Sequence, residues 1–310
     1  MRILVIGAGA LGGYFGARLL AAERDVTFLV RHKRAAALSR GGLVVKSKVG
    51  DLHLASPPTV TSEQLNGPYD LIIVSCKAYD LDGAMESFAP AVGENSVIIP
   101  LLNGLRHLDV LNARFGETNV FGGQCAISAA LSVDGEILHM TDLHTLSFGE
   151  QSRTRSERRA EIIGALSGAG FDAEHSDNIL QAMWEKWVMI ATTAGATCLM
   201  RASIGDIVAA DASGVVMRLL DEASAIAANQ GFEPRPAYIE RVRSIITTPG
   251  SPLMASMVRD IERGARTEGH HILGDLLGRV PEGDVPILLS TAYAHVKSYE
   301  ARQAREAASR

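Results

Sequence analysis

Residues 2–34 constrain the fold of this chain more than any other stretch. Arg2-Ile3-Leu4-Val5-Ile6 reads as a buried strand that runs straight into Gly7-Ala8-Gly9-Ala10-Leu11-Gly12. An apolar helical pattern follows from Tyr14 to Ala22. A second strand, Asp25 to Val30, ends in Arg31-His32-Lys33-Arg34. A glycine-rich turn says little alone, but a strand before it and a helix after it make a dinucleotide-binding βαβ unit the expected arrangement. Gly7 permits the tight turn, Gly9 lets a pyrophosphate approach the backbone with no Cβ in the way, and Gly12 lets the helix pack closely on the strand. The phosphates then meet the N–H groups around Ala10 and Leu11, at the positive end of the helix dipole. The competing reading is a structural glycine turn in another α/β fold.

The end of the second strand bears on which dinucleotide. An NAD site usually carries Asp or Glu there, about 20 residues past the glycines, to bond the ribose 2′-OH. No acidic residue stands between Val26 and Lys46, and Arg31 follows the strand directly. A guanidinium fork suits a 2′-phosphate, so NADP(H) is the expected cofactor. Lys33 and Arg34 read equally well as a solvated basic helix start.

Beyond residue 34 the alternation continues. Leu71 to Ser75 and Ser96 to Pro100 are continuous apolar strands, Leu81 to Ala89 and Leu105 to Phe115 are helical, and Val120 to Ile127 is a further strand. Continuous apolar strands separated by helices imply a parallel sheet covered on both faces. Residues 43–60 and 133–148 alternate in short segments with turn residues and are expected as antiparallel hairpin additions. From Asn178 onward strand signals vanish. Asp177 is placed to cap a long helix through Trp184, Trp187 and Ala191. Further helices are expected over 204–210, 212–230, 235–246, 251–265, 267–279 and 285–305, with prolines at their joints. The expected fold is an α/β Rossmann-type doubly wound domain over 1–176, followed by an all-helical domain over 177–310. Ligands in such sheets bind at the carboxyl ends of the strands.

Composition excludes several classes. A net charge of −5 gives no electrostatic case for nucleic acid. Cys76, Cys125 and Cys198 are far apart, without metal-ligand spacing, which suits a reduced, cytoplasmic setting. A strand entering at residue 2 leaves no room for a signal peptide, and no apolar run reaches the ~18 residues of a membrane span. No metal site is expected, because the adjacent His270 and His271 point in different directions and no ligand pattern accompanies them. The last residues, Tyr299 to Arg310, read as a fraying helix end. The apolar helical half could support a homodimer, although it carries no interface signature.

Four polar positions stand out. Lys77 and Asn103 each follow a parallel strand at its carboxyl end. Lys186 has apolar neighbours one turn away on both sides: Ala182, Met183, Met189 and Ile190. Desolvation there would lower its pKa and make it a better proton donor near neutrality. A lysine snorkelling from a helix face is the plainer reading of position alone. Glu268 follows a stripe of Ser256, Asp260, Arg263 and Thr267, and such a stripe ordinarily marks a solvated face.

Together these residues resemble the ketopantoate reductases (2-dehydropantoate 2-reductases), over essentially the whole chain. The resemblance rests on the glycine turn, Arg31, Ser75-Cys76-Lys77-Ala78, Leu102-Asn103-Gly104, Trp184-Glu185-Lys186, Gly205-Asp206-Ile207, Ser256-Met257 with Asp260-Ile261, and Thr267-Glu268. It implies NADPH-dependent reduction of a 2-keto acid, ketopantoate, to a 2-hydroxy acid in pantothenate biosynthesis. By the same resemblance Arg31 and Lys77 hold the 2′-phosphate end or a nearby phosphate of NADPH, and Asn103 positions the cofactor near its ribose and nicotinamide and borders the substrate. Lys186 donates the proton, Glu268 anchors the substrate hydroxyl and supports Lys186, and Ser256 binds the substrate carboxylate. Where the family often carries asparagines, this chain has Ile190, Ala194 and Ile204. Of the nearby threonines, Thr193 and Thr197 lie near the Lys186 face and could partly replace the lost donors. The loss makes a related, less polar 2-keto acid the alternative substrate, and a non-catalytic NADPH-binding regulator the alternative from another class. A methyltransferase is disfavoured, since its ligand's ribose hydroxyls also call for a carboxylate after the second strand.

Overall fold

The computed structural model describes residues 1–152 and 158–309. The chain divides into two units, Met1–Leu102 with His107–Leu180, and Asn103–Arg106 with Gln181–Arg310. The elements up to residue 175 are, in chain order, β1 (Arg2–Ile6), α1 (Ala10–Ala21), β2 (Asp25–Leu29), α2 (His32–Gly41), β3 (Leu43–Ser47), β4 (Leu52–Leu54), β5 (Thr59–Val60), β6 (Tyr69–Val74), α3 (Leu81–Phe88), β7 (Val92–Pro100), α4 (Arg106–Phe115), β8 (Phe121–Leu131), β9 (Ile137–Glu150), α5 (Arg158–Leu166) and β10 (Asp172–His175).

The first unit is built on a five-stranded sheet of order β5-β2-β1-β6-β7, parallel at every pairing. Ile3 to Ile6, Leu71 to Val74 and Val97 to Ile99 are buried, which is why these strands read as unbroken apolar runs rather than alternating ones. Strand order runs outward from β1 in both directions, so the glycine turn after β1 lies at the topological switch point, where open α/β sheets bind ligands.

A second sheet has the order β10-β9-β3-β4, with β8 added on β9. Val120 to Ile127 was expected among the main parallel strands, and here the structure corrects the sequence. β8 instead pairs antiparallel with β9 from Phe121↔Glu150 to Leu131↔Ile137. A parallel bridge between Ile98 and Val120 is its link to β7 among the described residues. Pro100 ends β7 and has no N–H with which to extend a ladder. Of the expected antiparallel additions, β3 and β4 form one. β9 is antiparallel to β8 but parallel to β3 and β10.

From α6 onward the described residues contain helices and no strand: α6 (Ile179–Met200), α7 (Ile204–Ala209), α8 (Ser213–Asn229), α9 (Pro236–Ile246), α10 (Ser256–Glu262), a π-helical turn (His270–Gly274) leading into α11 (Asp275–Leu277), and α12 (Ile287–Ala308). Asp177 precedes α6, and its carboxylate pairs with Arg159 at 2.8 Å. Between Gln181 and Cys198 the positions of α6 that are not fully buried are Gln181, Ala182, Lys186, Met189 and Ile190. A helix so apolar on every side is stable only when enclosed.

α10 is much shorter than the expected 251–265. Gly264, at φ 68°, closes it: Ala265 N–H donates to Asp260 O (2.8 Å) and Gly264 N–H to Ile261 O (3.1 Å). This pair of bonds forms a Schellman end. The stripe through Ser256, Asp260, Arg263 and Thr267 is therefore not one helical face, because Thr267 lies beyond the helix. The expected helix over 267–279 is likewise a π-turn joined to a short α-helix. α12 gains its N-terminal cap from α8, where the Glu222 carboxylate accepts from Leu288 N–H (3.1 Å) and Leu289 N–H (2.8 Å).

Candidate active site

In the first unit the three turn glycines answer to different demands. Gly7 has φ 90°, and its N–H donates to Leu29 O at 2.9 Å. That conformation costs a residue with a Cβ about 1–2 kcal/mol. A Cβ on Gly12 would overlap Ser75 Oγ and the carbonyl oxygen of Gly7. The Ser75 hydroxyl donates to Ile6 O at 2.9 Å, tying the end of β6 to the turn. Gly9 is different. Its φ of −86° is ordinary for any residue and no side chain caps it as the N-cap of α1, while a Cβ there would meet no atom within 4 Å. Neither packing nor backbone conformation requires glycine at this position. An approaching ligand would. Ala10, Leu11 and Gly12 form the first turn of α1, where N–H groups have no acceptor within the helix.

Arg31 lies two residues past the end of β2, with its side chain 82% exposed and Nη2 3.1 Å from Asp80 Oδ1. Asp80 lies in the turn after β6, and nothing in the sequence around Arg31 announces it. Exposed pairs of this kind contribute at most about 1 kcal/mol, so Arg31 can be drawn to another anion at small cost. Lys77 is exposed just past β6, with extended backbone. Arg34 is more than a solvated helix start. Its Nε donates to Ala8 O in the glycine turn at 3.1 Å, and Nη1 and Nη2 donate to Gly135 O. Its guanidinium thus clamps the turn to the β8–β9 connection.

The second unit holds Asn103, Lys186, Ser256 and Glu268. Lys186 lies on the half-buried strip of α6. The rotation of α6 is fixed by its neighbour Glu185, 1% exposed, whose Oε1 accepts from Arg235 N–H (2.9 Å) and Nε (2.8 Å) and whose Oε2 accepts from Arg235 Nη2 (2.5 Å). Burial alone would raise the Glu185 pKa, but these bonds outweigh it and hold the carboxylate below its ordinary value. On the other side of Lys186, Trp187 Nε1 donates to Ile272 O at 2.9 Å within the core, and Ile272 N–H donates to Glu268 O at 2.9 Å. One hydrogen-bonded path therefore links the backbone of the Lys186 segment to that of Glu268.

Ser256 is exposed at the first position of α10. The preceding Ala255 N–H donates to Thr197 Oγ1 at 3.3 Å, which ties this segment to α6 as well. Thr197 in turn donates to Thr193 O at 2.6 Å, and Thr193 donates to Met189 O at 2.9 Å. Both hydroxyl protons are committed to the helix backbone. The suggestion that these threonines replace lost side-chain donors does not hold in this geometry. Ala194 and Ile204 are fully buried, and Ile190 is half-buried. In the Gly205-Asp206-Ile207 motif, Asp206 and Ser203 form a capping box for α7, and Gly205 N–H donates to Ser251 O at 2.8 Å.

His271 is a participant that sequence reading set aside with its neighbour His270. It is buried, and a Cβ on Gly104 would stand 3.2 Å from its Cδ2. Desolvation lowers its pKa, against the opposite pull of Glu268 and of a hydrogen bond with the Asn103 backbone. His271 therefore gathers the Asn103 loop and the Glu268 segment into one neighbourhood. Among the described residues no group of three or more His, Cys, Asp or Glu could hold a metal ion, and no helix is long and apolar enough to cross a membrane. None of the three cysteines is in a disulfide.

Comparison with known proteins places this geometry. The family model described as ketopantoate reductase PanE/ApbA matches residues 3–153, and the model of its C-terminal part matches residues 178–300. An uncharacterized oxidoreductase, YkpB of Bacillus subtilis (strain 168), is 37% identical over 305 residues, covering 98% of this chain and 100% of that protein. The crystal structure of a 2-dehydropantoate 2-reductase from Geobacter metallireducens GS-15 superposes with a TM-score of 0.87 at 28% identity, covering 96% of this chain and 99% of that one. A ternary structure of D-mandelate dehydrogenase with NADH and anilino(oxo)acetate shares the fold, with a TM-score of 0.87 at 21% identity over 98% of this chain and 99% of its own. Matched by family models in both halves, this chain belongs to the ketopantoate reductase family of oxidoreductases.

Proposed function

We propose that the chain catalyses the NADPH-dependent reduction of a 2-keto acid to the 2-hydroxy acid, with 2-dehydropantoate as substrate and pantoate as product. The observation that carries this reading is the position of Lys186, the cation of the half-buried strip on an otherwise enclosed helix. The dinucleotide part of the reading is supported by Gly9, where glycine answers to no internal demand. Gly7, Gly9, Gly12 and the N–H groups of Ala10 and Leu11 would cradle the pyrophosphate. Arg31 and Lys77 would hold the 2′-phosphate end, and Asn103 the ribose and nicotinamide. When bound, NADPH supplies a hydride to the keto carbon.

Reduction builds negative charge on the keto oxygen. Lys186 Nζ stabilises that charge by a charge-assisted hydrogen bond and then transfers its proton to the oxygen. The Ser256 hydroxyl donates to the substrate carboxylate. The Glu268 carboxylate accepts from the substrate hydroxyl and supports Lys186 as a nearby negative charge. The test is NADPH oxidation followed spectrophotometrically with 2-dehydropantoate. Lys186→Ala is expected to lower kcat by roughly 10²–10⁴ with nucleotide affinity unchanged, and wild-type turnover in that variant would overturn the mechanism.

A second substrate reading is favoured by one observation. Ile190, Ala194 and Ile204 offer no polar group, and the Thr193 and Thr197 protons are already donated to backbone. With no donor for the substrate hydroxyl, the Glu268 carboxylate is left as its one partner in this reading, and the hydroxyl contributes less to binding. If the analogue of 2-dehydropantoate lacking the hydroxyl has the higher kcat/KM, the natural substrate is an apolar-chain 2-keto acid.

A further inference from the structure

Glu268 leaves the chain from a short segment without regular secondary structure, residues 265–268, between the end of α10 and the π-turn. No regular ladder fixes such a segment, yet α12 grips it at two points and packs against the residue that follows it. The Tyr299 hydroxyl donates to Ala265 O at 2.8 Å. The Thr267 hydroxyl donates to Glu300 Oε1 at 2.6 Å and accepts from Gly269 N–H at 3.2 Å. A Cβ on Gly269 would overlap Val296 Cγ1. Thr267 is buried, so its hydroxyl is shielded from competing water. The other oxygen of Glu300 accepts from Lys297 Nζ at 2.9 Å, a charge-assisted bond that holds the carboxylate in place.

We propose that Glu300 and Thr267 are positioning residues: through the Thr267 hydroxyl, α12 sets the backbone direction from which Glu268 reaches the substrate. The proposal rests on the role given to Glu268 above. A hydrogen bond to a charged acceptor, made by a buried hydroxyl two atoms from the backbone, restricts both neighbours of Thr267. Release of that bond leaves Glu268 on the chain but free to sample other directions. Misdirection of a substrate anchor weakens productive binding without removing any group that reacts.

The experiment compares Thr267→Val, which keeps the shape and loses the hydroxyl, with Thr267→Ser, which keeps the hydroxyl, and with Glu300→Ala. Amide hydrogen exchange over the peptide covering 265–272 is read alongside steady-state kinetics. Thr267→Val and Glu300→Ala are expected to speed exchange in that peptide by about tenfold or more. They should also raise KM for the keto acid by a similar factor, leaving KM for NADPH unchanged. Thr267→Ser should stay within about twofold of wild type on both readouts. Wild-type exchange and KM in Thr267→Val at an unchanged unfolding midpoint would overturn the proposal, as would a KM rise that the serine variant does not rescue. If the wild-type chain turns over no 2-keto acid, the reading of function fails. The exchange comparison still decides the grip on its own, since faster exchange with serine rescue supports it and unchanged exchange overturns it.

Discussion

Gly9 and Gly12 lie three residues apart in one turn, and the structure separates what each is for. An alanine at Gly12 must displace Ser75 or the Gly7 carbonyl, an overpacking cost of about 2 kcal/mol. An alanine at Gly9 meets open space and loses only about 1 kcal/mol at a helix N-cap. Gly12→Ala should therefore lower stability in urea titration, whereas Gly9→Ala should fold nearly as well but bind NADPH at least tenfold more weakly by fluorescence titration. Equal nucleotide affinity in Gly9→Ala would remove the argument for a ligand at that position. Both glycines were legible in the sequence because the strand, turn and helix that give them meaning are contiguous. Arg34 was not. Its partners are the carbonyls of Ala8 and Gly135, and a backbone carbonyl leaves no trace in residue identity. Asp80 escaped for another reason, lying 49 positions from the Arg31 it pairs with.

Among the elements, α6 depends on the Glu185–Arg235 pair for its rotation, and so does the direction of Lys186. Arg235→Ala would strand a buried carboxylate, at a cost on the order of 3 kcal/mol. The sign of the pH effect follows from the lowered Glu185 pKa. The ionised pair stabilises fully above the unfolded-state value and loses its contribution as pH falls through the lower folded value. The gap between wild type and Arg235→Ala, measured by urea unfolding, should thus be largest near pH 7 and shrink below about pH 4. A gap that widened in acid would contradict this account. The existence of α6 and of the parallel strands was legible from periodicity. The partner of β8 was not, because an apolar run of that length reads alike in either sheet and its pairing is decided by the distant β9. Nor was the early end of α10, where the positive φ of Gly264 overrides residues that could have continued the helix.

For the molecule as a whole, nucleotide binding is linked to unfolding. A ligand held only by the folded state at a hundred times its Kd adds about 2.7 kcal/mol. For a chain of this size that raises Tm by several degrees, at roughly 2–4 °C per kcal/mol. If Arg31 recognises the 2′-phosphate, NADPH should raise Tm more than NADH at equal concentration in a scanning calorimeter, and Arg31→Ala should erase the difference. Equal shifts with the two nucleotides in the wild-type chain would mean that Arg31 does not discriminate. The assignment of Asn103–Arg106 to the helical unit carries a separate consequence for heredity and engineering. Four residues spelled in the first half of the sequence belong structurally to the second half, so the path crosses between units at 102/103, 106/107 and 180/181. No single cut yields two intact parts. A recombination that swapped the helical unit onto another dinucleotide-binding unit would have to carry this short insert with it, and a donor lacking a compatible insert would leave His271 facing the wrong loop.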